Sequence, residues 1–243
     1  MEALRDFGSG VHVTTHANLP EDPLHRHREA YAAFITSGAY LELSADGAVA
    51  VEAGDIVIHP PFHRHRNFFT APDTVVLNID LPFFAALKTG YRILKGAGCS
   101  ALQRLAAHDP LTAVKLILNR SEGDSDVSSG IGGCADAAAK LLQRQTQVSI
   151  ADICRSLDIS HGHLTRTFKN NFGTPPSEFR SEVRFRKALG AVLSPASLSD
   201  AAHMSGYADQ AHMTRDFRRR AGVSPGALRQ EIKFVQAPPP RLN

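Results

Sequence analysis

Between residues 30 and 81 apolar residues run in short blocks or alternate with polar ones, as in "AYAAFITSG", "AYLELS", "AVAVEA", "DIVIHP" and "DTVVLNIDL". β-Branched residues are frequent in these blocks, and the pattern predicts strands. Asp46-Gly47, between the second and third block, predicts a hairpin turn. Several short strands at close spacing predict an all-β sandwich or barrel. After Pro82 the period lengthens. "FFAALKTGYRILKG", "CSALQRLAAH" and "LTAVKLILNR" place their apolar residues at helical spacing. The Gly/Ser/Asp stretch "SEGDSDVSSGIGG" (121–133) reads as a flexible linker. "ADAAAKLLQRQ" then opens an all-α region that runs to about Phe234, and the tail "APPPRLN" is expected to be disordered. The pattern therefore divides the chain into a β domain (1–82), a helical connector and linker with a candidate role in dimerisation (83–133), and an all-α domain (134–236).

The all-α region contains a duplication. Phe168 and Phe217, Arg166 and Arg215, Gly173 and Gly222, and Pro176 and Pro225 are each separated by 49 positions, while Asp152 and Asp200 are separated by 48. Two copies are too few for a solenoid, so the reading is a small unit present twice. Each copy predicts a helix, a short turn and a second helix. In the first, Ile150, Ile153 and Leu157 make an apolar stripe and the chain turns at Asp158-Ile159. Ser160 is placed to cap the next helix, as Asp209 is in the second copy. Leu164, Phe168 and Phe172 then recur at i, i+4 and i+8, with Met213, Phe217 and Ala221 in register, so each second helix has one core face. Subtracting that face leaves Gly162, Thr165, Arg166 and Lys169 pointing outward, and Ala211, Thr214, Arg215 and Arg218 in the repeat.

Charge sharpens this picture. The 243 residues carry a net charge of +3, but residues 1–140 hold 12 Lys+Arg against 16 Asp+Glu, and residues 141–243 hold 15 against 8. A basic half joined to an acidic half is a footprint of nucleic-acid binding by one part only. No run of eighteen apolar residues occurs, which argues against a membrane-spanning helix. The acidic "MEALRDFGSG" start argues against a secretory signal, and Cys99, Cys134 and Cys154, odd in number and widely spaced, read as reduced thiols in a cytoplasmic protein.

The outward residues combine small side chains, which allow close approach, with hydroxyl and guanidinium donors. That suits a recognition helix in the DNA major groove, where Arg bonds guanine O6 and N7 together and Thr contacts a thymine methyl. A basic helix end is more often only a solvated surface favourable to the helix dipole. Here the outward composition is kept in both copies, which favours recognition. Arg220 falls nearer the core-facing side and is expected to matter less for base choice. The stretches "IADICRSLDISHGHLTRTFKNNFGTPPSEF" and "SGYADQAHMTRDFRRRAGVSPGALR" resemble the DNA-binding domain of the AraC/XylS family of bacterial transcription regulators. In that family two helix-turn-helix units are bridged by a long helix, here "PSEFRSEVRFRKALGAVL". The resemblance covers roughly the last two fifths of the chain. It implies DNA contacts from His161, Gly162, Thr165, Arg166 and Lys169, and from Gln210, Ala211, Thr214, Arg215 and Arg218. Asp158 departs from the family pattern, which often has glycine in the first turn, and so do His203 and Met204.

Seven of the twelve histidines lie within the first 65 residues. "PLHRHREAY" places His25 and His27 at HxH spacing, and "GDIVIHPPFHRHRN" adds His59, His63 and His65. In a strand alternate residues share a face, so an HxH pair directs two imidazoles into one pocket, with Arg26, Arg28, Arg64 and Arg66 expected on the other face. This arrangement resembles a cupin barrel, a sensor domain that AraC-type regulators frequently carry. The expected effector site is His25, His27 and His65. Metal-binding cupins add a glutamate a few residues after HxH; here Tyr31 or Ala32 stands there and Glu29 comes too soon. The expectation is a pocket without metal or other cofactor, using imidazoles as hydrogen-bonding groups. The resulting reading is a non-enzymatic regulator with an N-terminal cupin-like β-barrel and a C-terminal double helix-turn-helix domain. Its implied partners are double-stranded promoter DNA, a small-molecule effector, RNA polymerase and a second copy of the chain, with no membrane. Two rivals remain: a metal-dependent cupin enzyme (a dioxygenase or isomerase) with a DNA-binding tail, and a constitutive DNA-binding protein with an inert barrel.

Overall fold

A computed structural model describes residues 5–6, 10–17, 21–98, 100–121 and 133–236. The chain divides into two compact units, residues 1–136 with 166–174, and residues 137–165 with 175–243. Among the described residues the first unit holds ten strands in two antiparallel sheets. They are β1 (Arg5–Asp6), β2 (Val11–His16), β3 (Glu21–Arg26), β4 (Ala30–Ser37), β5 (Ala39–Ser44), β6 (Gly47–Glu52), β7 (Ile56–His59), β8 (Arg64–Phe69), β9 (Thr74–Leu81) and β10 (Arg92–Leu94). One sheet has the order β1-β2-β9-β4-β7-β10 and the other β3-β8-β5-β6. All five predicted strand blocks are strands. The hairpin after β5 is present, but its two loop residues are Ala45 and Asp46, because Ser44 pairs with Gly47.

The larger sheet is buried on both faces, which explains the continuous apolar run of β4. Ala30, Ala32 and Phe34 share a core with Ile56, Ile58 and Ile79, and with Ala86, Leu102, Ala113 and Ile117 from three helices. These helices are α1 (Phe83–Thr89), α2 (Ser100–His108) and α3 (Pro110–Ser121). Ala33, Ile35, Val57 and Val76 point the other way, into a second core with Tyr40, Val51 and Tyr91. Residues 83–121 are therefore part of the first unit's core, which corrects their assignment to a connector. A second correction concerns "YRILKG". Gly90, at a φ of 74°, ends α1, and Arg92–Leu94 then pairs with β7 as an edge strand instead of continuing a helix. Most of the expected linker, the expected disordered tail and Cys99 lie outside the described residues, while Cys134 and Cys154 are in no disulfide.

The remaining helices are α4 (Cys134–Arg144), α5 (Ile150–Ser156), α6 (His161–Phe172), α7 (Pro176–Val192), α8 (Leu198–Met204), α9 (Gln210–Ala221) and α10 (Pro225–Gln236). The duplication is visible in the caps. Ser149 accepts from the Asp152 amide and donates to its carboxylate, and Ser197 does the same with Asp200. Ser160 and Asp209 accept from the amides of His163 and His212 at the starts of α6 and α9. No helix among the described residues is long and apolar enough to cross a membrane.

Candidate functional site

Two sets of side chains carry the chemistry. The first lies on α6 and α9. Leu164, Phe168 and Phe172, like Met213, Phe217 and Ala221, are buried, so the predicted core faces are real. His161, Gly162, Arg166 and Lys169 are exposed on α6, and Gln210, Ala211, Arg215 and Arg218 on α9. The side chains of Arg166, Lys169, Arg215 and Arg218 have no hydrogen-bond or ion-pair partner among the described residues. Solvated guanidinium and ammonium groups on one helix face are free to meet phosphates or base edges. Thr165 and Thr214 are only half exposed, and the Oγ1 of Thr165 is covered without a hydrogen-bond partner. The buried stripe reaches past Leu164 to its neighbour, so Thr165 does not present its hydroxyl outward as expected.

The run Arg218-Arg219-Arg220 splits by helical phase. Arg219 reaches back to the Asp216 carboxylate. Arg220, three residues from Phe217, turns inward, and its side chain is 5% exposed. It bonds Asp216 at 2.9 and 3.0 Å, Glu182 at 2.6 Å and the Ser181 hydroxyl at 2.7 Å, the last two on α7. Tyr207 donates to Asp216 at 2.7 Å. Burial alone would push the Asp216 carboxyl upward, but the Arg219 and Tyr207 hydrogen bonds and the Arg220 charge outweigh it and hold the group below the usual carboxylate value.

The second set fills a cavity of about 520 Å³ between the two sheets of the first unit. β8 turns His65, Asn67 and Phe69 inward, with Tyr40 of β5 paired to Phe69; β4 and β7 turn Tyr31 and His59 inward as a pair. A bulge at Asp22/His25 in β3 sets His25 opposite His65. The three predicted imidazoles meet: ring centres are 4.4 Å apart for His25 and His65, 4.7 Å for His25 and His27, and 5.5 Å for His27 and His65. His25 Nδ1 donates to the Pro23 carbonyl at 2.7 Å. Burial, then the neighbouring imidazoles, lowers His27 to about 4 and also holds His65 and His59 well below their ordinary values, so these rings are neutral. None of Arg26, Arg28, Arg64 and Arg66 lines the cavity. Arg26 bonds the Phe62 carbonyl and Arg66 pairs with Glu21 at 2.5 Å.

Around His65 lies a second group, of which the sequence assigned only His65 to a site. Glu42, His59, His63 and His65 are all buried, and one ligand atom from each lies within 4.8 Å of the others. His59 Nδ1 is 3.1 Å from His63 Nδ1, and His59 Nε2 is 3.8 Å from the Glu42 carboxylate. His63 Nε2 is 3.1 Å from Asp46 in the β5–β6 turn. Glu42 is 1% exposed and neither carboxylate oxygen has a hydrogen-bond partner. Burial raises its pKa to about 8. The nearby Tyr91 hydroxyl tempers that shift without reaching hydrogen-bonding geometry. The histidines were visible as a cluster in "HPPFHRH". Glu42 was not, because only the pairing of β5 reveals that Tyr40, Glu42 and Ser44 share the inward face.

Comparison with known proteins bears on the helical region first. Residues 153–231 match the helix-turn-helix domain family. A 66-residue stretch is 30% identical to the lactose operon transcription activator of Staphylococcus xylosus and covers 27% of this chain; the chain spans about a quarter of that relative, 24% of its length. Among solved structures, ToxT from Vibrio cholerae aligns over 90% of this chain and 97% of its own, at 11% identity and a TM-score of 0.43. The C-terminal domain of AraT, a response regulator from Geobacillus stearothermophilus, aligns over 47% of this chain and 95% of its own, at 20% identity and a TM-score of 0.41.

Proposed function

We propose that this chain, whose C-terminal region carries an AraC-type helix-turn-helix domain, is a sequence-specific DNA-binding regulator of transcription that responds to a small molecule. The observation that carries the reading is the repeated outward face: Arg166 and Lys169 on α6, Arg215 and Arg218 on α9, exposed and unpartnered. The match to the helix-turn-helix family over 153–231 and the name of the Staphylococcus relative support it. His161 and Gly162, and Gln210, Ala211 and Thr214, complete the two DNA faces.

The effector site in this reading is the cavity between the sheets, with His25, His27 and His65 as neutral hydrogen-bonding groups for a polar metabolite. The effector acts by binding one arrangement of the DNA-binding units more tightly than another. No catalytic step belongs to the mechanism, and the protein works in the cytoplasm. A second copy of the chain docks through α2 and α3, where Leu111 is 75% and Leu116 45% exposed, and RNA polymerase is the downstream partner. The test uses the whole chain, titrated against fragments of genomic DNA at increasing salt. Tight binding to a few fragments, weakening steeply with salt as counterions are displaced, is expected. Equal affinity for every fragment, or none at low salt, overturns the reading.

A further inference from the structure

We propose that Glu42, His59, His63 and His65 form a binding site for one divalent first-row transition-metal ion, adjoining the His25, His27 and His65 set and sharing His65 with it. The proposal does not depend on the DNA-binding reading. Three imidazole nitrogens and one carboxylate oxygen are a donor set for Zn²⁺ and its neighbours. The dimensions agree. Ligand arms of about 2.05 Å at tetrahedral angles put the ligand atoms about 3.3 Å apart; His59 Nδ1 and His63 Nδ1 stand 3.1 Å apart, and one ligand atom from each of the four residues lies within 4.8 Å of the others.

The alternative is a hydrogen-bonded cluster, in which a protonated Glu42 donates to His59 Nε2, His59 Nδ1–H to His63 Nδ1 and His63 Nε2–H to Asp46. Geometry favours the ion over this chain: His59 Nε2 stands 3.8 Å from the Glu42 carboxylate, too far for a hydrogen bond, and neither oxygen of this buried carboxylate has a hydrogen-bond partner. A cation among the four ligand atoms satisfies the carboxylate. The Asp46–His63 pair is then the outer carboxylate that orients a metal-bound imidazole, and Glu42 with Asp46 balances the two positive charges.

This set differs from the one that the cupin resemblance implied. That pattern looked for a carboxylate within a few residues of His27 and found Tyr31. Here the carboxylate comes from β5, across the β8–β5 pairing, and only His65 is common to both sets.

The experiment takes the full chain, strips it with a chelator, and titrates it with Zn²⁺ by calorimetry and with Co²⁺ by visible absorption. We expect one ion per chain, ligand-field bands of a four-coordinate cobalt, and a rise in thermal midpoint with ion concentration. Glu42→Gln removes the charged ligand and loses stoichiometric binding. Asp46→Asn, isosteric and in the half-buried turn, keeps the fold and weakens affinity about 10–100-fold. His27→Ala leaves binding unchanged. A folded wild-type chain that takes up no stoichiometric ion overturns the proposal. So does a chain whose binding survives both Glu42→Gln and Asp46→Asn but is lost in His27→Ala.

Discussion

The two helix-turn-helix units present the same outward face on differently built interiors. In the second, α9 is bound to α7 by a buried charge network: Arg220 holds Asp216 and Glu182, and Tyr207 closes on Asp216. At the equivalent positions, 49 residues earlier, the first unit has Asn171 and Thr167. The turns differ as well. Gly206 sits at a φ of 84°, where an added Cβ would stand 2.2 Å from the Thr146 hydroxyl; Asp158, 48 residues earlier, takes the same left-handed conformation at 51° with a side chain. The apolar phase and the surface chemistry were kept across the duplication, while the means of holding the recognition helix in place diverged.

The comparison breaks most easily at Arg220. Arg220→Ala takes the buried cation away from Glu182 and Asp216, leaving Asp216 to Arg219 and Tyr207, and should cost about 3–5 kcal/mol of stability, read by chemical denaturation of the helical signal. Asn171→Ala should cost less than about 1 kcal/mol. Equal losses at both sites would mean that the network does not distinguish the units.

Next in size are the turns. Gly206→Ala combines a left-handed backbone with an overlap on Thr146 and should cost about 2–3 kcal/mol. Asp158→Gly should be neutral or slightly stabilising, because it removes the strain of a side chain at positive φ. The same denaturation curves check both, and a loss in Asp158→Gly would show that its side chain is needed in the turn.

For DNA affinity the two units should behave alike. Arg166→Ala and Arg215→Ala should each weaken binding to the preferred fragment by about 1–3 kcal/mol with no change in stability. Arg220→Ala, at a temperature where it stays folded, should retain the ratio of specific to random binding. Competition binding measures all three, and a variant of Arg215 with undiminished discrimination would remove α9 from base readout.

The smallest effect is in pH. Asp216 has a lowered pKa in the fold, so its stabilisation is complete above the ordinary carboxylate value of about 3.9 and is lost as pH falls through the lower native value. The stability gap between wild type and Asp216→Asn should therefore narrow only below about pH 4. Thr167 does not titrate as a carboxylate, and Thr167→Val should give a gap that is flat over the same range.

What the sequence reveals follows from how strongly a pattern repeats. The helical units were legible because buried residues return at 3.6-residue spacing and the whole set returns 49 positions later. β4, β7 and β9 were legible because both faces, or one clean face, are apolar. β2, β3 and β8 show no apolar alternation, since "VHVTTH", "EDPLHR" and "RHRNFF" turn histidine, threonine and asparagine into a cavity, and only the HxH pairs pointed to strands at β3 and β8. Arg218, Arg219 and Arg220 are equivalent by composition; their fates differ only in angle around the helix. The histidines that meet were visible as a cluster, but Glu42 joins them through strand pairing, which a linear pattern does not display.

The tight turn of Ala45 and Asp46 also places a limit on chain length. β5 supplies Glu42 three residues before the turn, and the turn itself supplies Asp46, so one hairpin delivers both carboxylates to the histidines. β5 is held on its other side by β8 and β6 is the edge strand, so a residue inserted at the turn lengthens the loop or shifts β6 and leaves Glu42 in register. Asp46, in the turn itself, would be carried away from His63. Insertion here would therefore part the two carboxylates, leaving one beside the histidines and withdrawing the other, without altering a single residue of either.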